Sequence, residues 1–154
     1  MKWTVFFAWL LMSFNINAAS LIIKNVAGTE KTLTFEQIIS LPVSEYTTDL
    51  PWTPEANTYT GVSLIELLQS QGITEAKAVI LYGLNNYAAV IQMSDIKKYK
   101  PIIAYYKNSK PMKIRNKGPF WLILPLDQYA ELNTPYYYTQ MVWQLEKIEV
   151  IAND

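Results

Sequence analysis

The side chains that could do chemistry in this chain are aromatic rings, amides and cations. The sequence contains no cysteine and no histidine. The missing cysteine rules out thiolate nucleophiles, thiolate metal ligands and disulfides. The missing histidine removes the commonest general base and the commonest metal ligand, so a Ser-His-Asp site is impossible. Catalysis is not excluded, but the most familiar catalytic mechanisms, which use cysteine or histidine, are excluded.

A tryptophan lies between two prolines in the segment LPWTP at residues 50–54. The prolines fix the backbone on either side of Trp52, so its ring is held at low entropic cost. Such a ring can cover the face of a flat heteroaromatic ligand. The alternative is a tryptophan packed under its own loop.

Two adjacent amides precede a tyrosine at Asn85, Asn86 and Tyr87. Amide side chains donate and accept hydrogen bonds at once, which suits the ring edge of a purine or a pterin. Asparagine is also common where a turn needs a positive φ angle. On this pattern alone the turn is the favoured interpretation.

A basic run fills the interval between Asp95 and Asp127, which contains no acidic residue. Its cations are Lys97, Lys98, Lys100, Lys107, Lys110, Lys113, Arg115 and Lys117. Their positive field suits a phosphate, a carboxylate or an acidic partner. For the lysines of the first half, a solvated hairpin face is the favoured interpretation. Arg115 and Lys117 lead into Gly118-Pro119, where glycine allows close backbone approach and proline stiffens the turn. This pair predicts an anion clamp.

Three consecutive tyrosines follow Pro135, and Trp143 comes soon after them. They cannot all be buried on one strand face, because alternate strand residues point to opposite faces. At least one of them, with Tyr138 as our candidate, is expected to be exposed or to line a cleft. An edge strand with amphipathic aromatics is an equal alternative.

The first 19 residues resemble a signal peptide. Lys2 is followed by an apolar run from Trp3 to Met12, and small residues near Ala18 and Ala19 suit cleavage. The length of this run is too short for a membrane span, although a short uncleaved anchor is the alternative. Export to a bacterial periplasm is therefore expected. Loss of Lys2 leaves 12 basic and 13 acidic residues, which argues against general affinity for nucleic acid.

The rest of the chain, residues 20–154, is expected to form one α+β domain with short helices on a mostly β framework. Strands are expected at residues 21–23, 32–35, 44–50, 78–82, 88–93, 102–106, 121–124 and 141–151. Capping boxes at Thr34 and at Ser63 predict two helices, the second of which ends at Gly72. Ser94-Asp95 is expected to cap a further helical turn to Tyr99. Residues 125–138 are expected to be irregular.

The order of these motifs resembles the oxidoreductase molybdopterin-binding domain of the sulfite oxidase fold. The resemblance rests on Trp52, on GVxLxxLL at residues 61–68, on KGPxWLIxP at residues 117–125 and on the segment from Trp143 to Val150. In the enzymes of that family a cysteine ligates molybdenum, and this chain has none. The pattern is therefore similar to small periplasmic pterin-binding proteins of proteobacteria, the PruR-like group.

This resemblance implies a non-catalytic protein that binds a pterin, molybdopterin-like or simple, without molybdenum. It also implies signalling to a membrane-bound cyclic di-GMP cyclase or phosphodiesterase. The expected ligand residues are Trp52 and Tyr87 for stacking, Asn85, Asn86 or Asp127 for the ring edge, and Arg115, Lys117, Gly118, Trp121 and Tyr138 around the remainder. The alternatives are a molybdopterin oxidoreductase with an unusual metal site and a pocket-less interaction domain of the same fold.

Overall fold

Ten strands and several short helices make up the part of the chain that the computed structural model describes, residues 18–153. Residues 1–17 of the predicted signal peptide lie outside the described residues. The strands are β1 (Ser20–Lys24), β2 (Glu30–Thr34), β3 (Val43–Thr48), β4 (Asn57–Ser63), β5 (Ala78–Gly83), β6 (Ala88–Gln92), β7 (Ile102–Lys107), β8 (Lys110–Pro111), β9 (Trp121–Ile123) and β10 (Leu145–Ile151). The helices are α1 (Phe35–Ile39), α2 (Leu64–Ser70), α3 (Met93–Tyr99) and α4 (Pro135–Tyr138), with 3₁₀ turns at Ile114–Asn116 and Ala130–Leu132. The expected mostly β, α+β fold is confirmed.

The strands form two sheets. The first has the order β2-β1-β10-β5-β6, and the second has the order β3-β4-β7-β8 with β9 also paired to β7. Strand β10 runs parallel to β1 and antiparallel to β5, so the last strand lies in the centre of the first sheet. Burial alternates along β1, and along β10 from Ile148 onward, with the period of two that buries one face of a sheet.

Two buried clusters hold these elements together. The first is mainly aliphatic and includes Leu64, Leu67 and Leu68 of α2, the apolar face that the GVxLxxLL pattern predicted. The second is rich in aromatic residues and contains Tyr59 and Trp121. The second cluster lies beneath the loops that carry the candidate ligand residues.

The glycine of the GVxLxxLL motif is explained by strand packing. A Cβ built on Gly61 would collide with the Ile103 carbonyl and lie 2.7 Å from Ala104 Cα. The register between β4 and β7 also shifts between Thr60 and Gly61. Glycine is therefore required here because the β7 backbone comes too close for any side chain.

The helix ends confirm some predictions and correct others. The capping box of α1 is present, since the Thr34 hydroxyl accepts from the Gln37 N–H and the Gln37 side chain accepts from the Thr34 N–H. Gly72 has a φ angle of 75°, as a residue just past a helix end requires. The predicted box at Ser63 is wrong, because Ser63 is the last residue of β4 and its side chain makes no capping bond.

Three further boundaries differ from the sequence prediction. Helix α3 begins at Met93 with Gln92 as its N-cap, so Ser94 and Asp95 lie inside its first turn and do not precede it. The tyrosine run forms the helical turn α4 and not an edge strand, because Pro135 suits a first helical position. The terminal strand starts at Leu145 and not at Met141. No helix among the described residues is long and apolar enough to cross a membrane.

Candidate ligand-binding site

Hydrogen bonds fix the loop that carries Trp52. The Thr53 N–H donates to the Leu50 carbonyl at 3.0 Å, and Leu50 is buried in the aromatic cluster. The Asp127 carboxylate accepts from the Asp49 N–H at 3.2 Å. Asp127 therefore anchors the start of this loop. The sequence predicted that its carboxylate would pair with the edge of a ligand, and in the structure it accepts from the protein backbone.

The Trp52 ring lies against three other rings and is still 37% exposed. Its centroid is 5.5 Å from that of Trp143 and 6.1 Å from those of Trp121 and Tyr138. Trp121 is 1% exposed, and its indole N–H donates to the Met141 carbonyl at 3.1 Å. The buried Trp121 thus lies at the base of this cluster of four rings, while Trp52 lies at its surface.

Tyr59 completes the support beneath these rings. It packs edge-on against Trp121 at 5.5 Å and has no exposed surface. Burial raises the pKa of Tyr59 to about 12, so its hydroxyl stays protonated at any physiological pH. The second cluster is therefore a rigid, uncharged base for the Trp52 loop.

One side of Trp52 faces a basic cleft of about 520 Å³. Five cations line this cleft, and no acidic residue does: Lys107, Lys110, Lys113, Arg115 and Lys117. Strand β7 and the short β8 bring the first two alongside the segment that carries the other three. The cleft concentrates positive charge where an anion can reach it, which is the field that the sequence predicted at Arg115 and Lys117.

Lys117 occupies a special place in the basic cleft. It adopts a φ angle of 72°, and its ammonium lies 3.7 Å from the Trp143 ring centroid and 5.6 Å from that of Trp121. Burial, with a smaller contribution from the Lys107 ammonium, lowers the pKa of Lys117 below its ordinary value. No carboxylate pairs with it among the described residues. Aromatic faces stabilise this cation in place of a carboxylate.

The other side of Trp52 faces an aromatic cleft of about 340 Å³. Its walls are mainly rings and apolar side chains: Trp52, Tyr87, Pro135, Tyr138, Met141, Val142 and Trp143, with Asn85 and Thr139 as polar members. The Tyr87 hydroxyl donates to the Thr139 carbonyl at 2.7 Å. This bond joins the turn before β6 to helix α4, so it fixes the width of the cleft.

The comparisons with known proteins agree with this fold. The model of the oxidoreductase molybdopterin-binding domain matches residues 11–153. The chain belongs to this family. The structure also superposes on the sulfane dehydrogenase SoxCD from Paracoccus pantotrophus with a TM-score of 0.68 and 16% sequence identity. The match covers 87% of this chain but 38% of the SoxCD chain, so it establishes the fold alone. No curated protein matches significantly.

Within this family fold, seven of the ten predicted site residues line one of the two clefts. Trp52, Arg115, Lys117 and Trp121 line the basic cleft, and Trp52, Asn85, Tyr87 and Tyr138 line the aromatic cleft. Lys97, Lys98 and Lys100, from the first half of the basic run, line neither cleft. Lys98 instead pairs with Glu131 at 3.2 Å. The basic run therefore divides into two parts: the cations from Lys107 onward line the basic cleft, and those before it do not.

The remaining three predicted residues line neither cleft. Asn86 has a φ angle of 63° and closes the turn with its N–H on the Gly83 carbonyl, the role that the turn interpretation gave it. Gly118 precedes a cis peptide to Pro119, and a Cβ on it would collide with the Met112 carbonyl. The close approach that this glycine allows is therefore to another loop of the protein. Asp127 anchors the Trp52 loop.

The structure adds residues that the sequence prediction did not include in the site. Lys107, Lys110 and Lys113 join the basic cleft, and Trp143 and Thr139 join the aromatic cleft. The signal for the lysines was already in the basic run, but its spacing does not say which of them face the cleft. Trp143 had only its nearness to the tyrosines as a signal.

Proposed function

We propose that this domain is a non-catalytic pterin-binding protein. The observation that carries the proposal is the position of Trp52, whose ring forms a wall of both the aromatic cleft and the basic cleft. A pterin is a flat bicycle with apolar faces, a polar edge and a substituent that is often charged. The two clefts match those two halves in order and in chemistry.

The aromatic cleft suits the bicyclic ring. Trp52, Tyr87, Tyr138 and Trp143 offer ring faces or edges, and stacking on an aromatic side chain is worth about 1–3 kcal/mol for a nucleic-acid base, a ring of similar size. The Asn85 amide can donate to the ring edge. The Thr139 hydroxyl already donates to the Tyr136 carbonyl at 2.7 Å, so it can accept from the ring. These polar groups fix the orientation of the ring while the aromatic walls supply most of its affinity.

The basic cleft suits the substituent. Its five cations can make charge-assisted hydrogen bonds to a phosphate or a carboxylate, which are roughly twice as strong as neutral ones. Arg115 is exposed and free to form a two-pronged contact, while Lys117 is held at the junction with the aromatic cleft. A pterin with a negatively charged substituent is therefore the preferred ligand.

The family name implies molybdopterin, so the fit of its metal must be tested separately from its pterin. The organic part fits, because rings and cations are present in the required order. The metal does not fit in the same way, because a thiolate ligand for molybdenum requires a cysteine and the sequence contains none. No group of three or more Asp, Glu, His or Cys side chains suited to a metal exists among residues 18–153. This chemistry favours a binding protein over a molybdenum oxidoreductase, and the clefts argue against a pocket-less interaction domain.

We further propose that the protein acts in a bacterial periplasm and reports its ligand to a membrane-bound cyclic di-GMP cyclase or phosphodiesterase. The signal-like segment of residues 1–19 and the resemblance to the PruR-like group support this part of the proposal. Fractionation of cells that produce the full chain tests the location. A chain found in the periplasm, shortened near Ala19, supports the export, and an uncleaved chain in the cytoplasm refutes it.

The central experiment measures the ligand directly. The protein is purified from a periplasm without added ligand, denatured, and its supernatant assayed for pterin fluorescence, phosphate and molybdenum. The ligand-free protein is then titrated with a neutral and an anionic pterin. Stoichiometric pterin without molybdenum, and tighter binding of the anionic pterin, support the proposal. Bound molybdenum would favour the oxidoreductase, and no pterin in either experiment would favour an interaction domain.

A further inference from the structure

The two clefts are joined by a direct hydrogen-bond chain through Gln144. The Gln144 N–H donates to the Lys117 carbonyl at 2.9 Å, and the Gln144 carbonyl accepts from the Leu84 N–H at 3.0 Å. Its side-chain nitrogen also donates to the Ile114 carbonyl at 2.7 Å. One residue therefore ties the basic segment 113–117 to the turn that carries Asn85 and Tyr87.

A second link runs through the side chains next to Gln144. Trp143 is a wall of the aromatic cleft, and the Lys117 ammonium, which lines the basic cleft, lies on its ring. Lys117 is thus held at its carbonyl by Gln144 and at its ammonium by Trp143. A movement of the 113–117 segment must change both links.

A bound anion would offset the positive charge of the basic cleft. Its cations repel one another, and no acidic residue in the cleft balances them. An anion in the basic cleft would neutralise that repulsion and order the segment. Because the segment is bonded through Gln144 to the Leu84 N–H, ordering one wall also orders the other.

We infer that Gln144 is a positioning residue that couples the clefts, so that an anion in the basic cleft strengthens ring binding in the aromatic cleft. Gln144 lines neither cleft. It has a φ angle of 49°, a region that non-glycine residues rarely adopt, which places its N–H and its carbonyl on the two segments at once. The ring part of this inference rests on the proposed pterin function.

The first test measures cooperativity with two separate probes. A neutral pterin is titrated by its fluorescence with and without saturating inorganic pyrophosphate, and sodium chloride matches the ionic strength. The native protein is expected to bind the neutral pterin about fivefold more tightly with pyrophosphate, the low end of typical coupling. Equal affinity with and without pyrophosphate overturns the inference.

The variant Gln144→Met removes the side-chain donor to the Ile114 carbonyl and keeps the length of the side chain. It keeps the backbone bonds of Gln144 to Lys117 and Leu84, so it is expected to reduce the fivefold effect without abolishing it. The affinity for pyrophosphate alone is measured on the same variant, so a damaged basic cleft is recognised. Lys97→Met, which removes a cation of α3 outside both clefts, is the matched control and is expected to keep the coupling. Full coupling in Gln144→Met would overturn the role of Gln144 as a positioning residue, because another residue at this position could then supply the two backbone bonds equally well.

A second test does not need a pterin. Amide hydrogen exchange at Leu84 is followed with and without pyrophosphate, because that N–H reports the bond to the Gln144 carbonyl. Slower exchange in the native protein and a smaller slowing in Gln144→Met support the coupling, even if the neutral pterin fails to bind and the proposed function fails. An exchange rate at Leu84 that is the same with and without pyrophosphate overturns the coupling, even if a pterin binds.

Discussion

Replacing Trp52 by alanine removes the wall that the two clefts share and is expected to weaken pterin binding by about five- to 150-fold. This range converts the stacking energy of about 1–3 kcal/mol per ring at 1.4 kcal/mol for each factor of ten. The upper half of the range is expected, because the Trp52 ring faces both parts of the ligand and three other rings hold it in place. Trp52→Phe keeps a smaller ring and should fall between alanine and the native protein.

The same substitution also removes packing, so binding and folding must be measured together. Trp52 makes three ring contacts, each worth about 0.5–1.5 kcal/mol beyond the area buried. Binding is therefore titrated by pterin fluorescence well below the unfolding midpoint of each variant. Tyr136→Ala is the control, because Tyr136 is 57% exposed and lines neither cleft. A folded Trp52→Ala protein with native pterin affinity would refute the two-cleft site.

Three other predictions concern charge, packing and pH. Arg115→Met should weaken binding of an anionic pterin and leave a neutral one nearly unaffected, whereas Lys97→Met should change neither; equal losses for both pterins would argue against an anion subsite. Gly61→Ala should lower the free energy of unfolding by about 3 kcal/mol or more in urea denaturation, because the new methyl group collides with the β7 backbone. The bond to Lys24 lowers the pKa of Glu149 in the folded state, so its stabilising effect is present above the ordinary glutamate pKa and is lost as pH falls through the lowered value. Glu149→Gln should therefore flatten the loss of stability below about pH 4.5, and a slope equal to that of the native protein would contradict this.

The sequence predicted the features that depend on local chemistry. Trp52 between prolines, the basic pair before Gly118 and the apolar face of α2 all follow from residue type and spacing. The box at Ser63 failed although its spacing was right. Ser63 does precede α2 as its N-cap residue, but its hydroxyl is buried without a hydrogen-bond partner among the described residues. The carboxylate of Glu66 keeps a buried oxygen without a hydrogen-bond partner among the described residues.

The structure was needed for everything that depends on which loops meet. Lys107 and Lys110 face the basic cleft only because a tight turn reverses the chain between β7 and β8, and charge spacing cannot say where the side chains of a hairpin point. Gln144 is an unremarkable residue in the sequence, and its three hydrogen bonds reach segments about 30 and 60 residues away in the chain. Sequence patterns of helix and strand carry no information about such contacts.

The position of β10 sets the order in which this protein can fold. Strand β10 comes last in chain order among the ten described strands and separates β1 from β5 in the sheet. A chain that does not yet include β10 therefore holds two halves of a sheet without the strand that joins them. Contacts between the two ends of a chain form slowly, because a long loop must close first. A chain that lacks β10 should therefore leave the first sheet open between β1 and β5. Removal of β10 should leave a soluble pair of hairpins at best, and a chain stopped before residue 145 should be degraded in the cell.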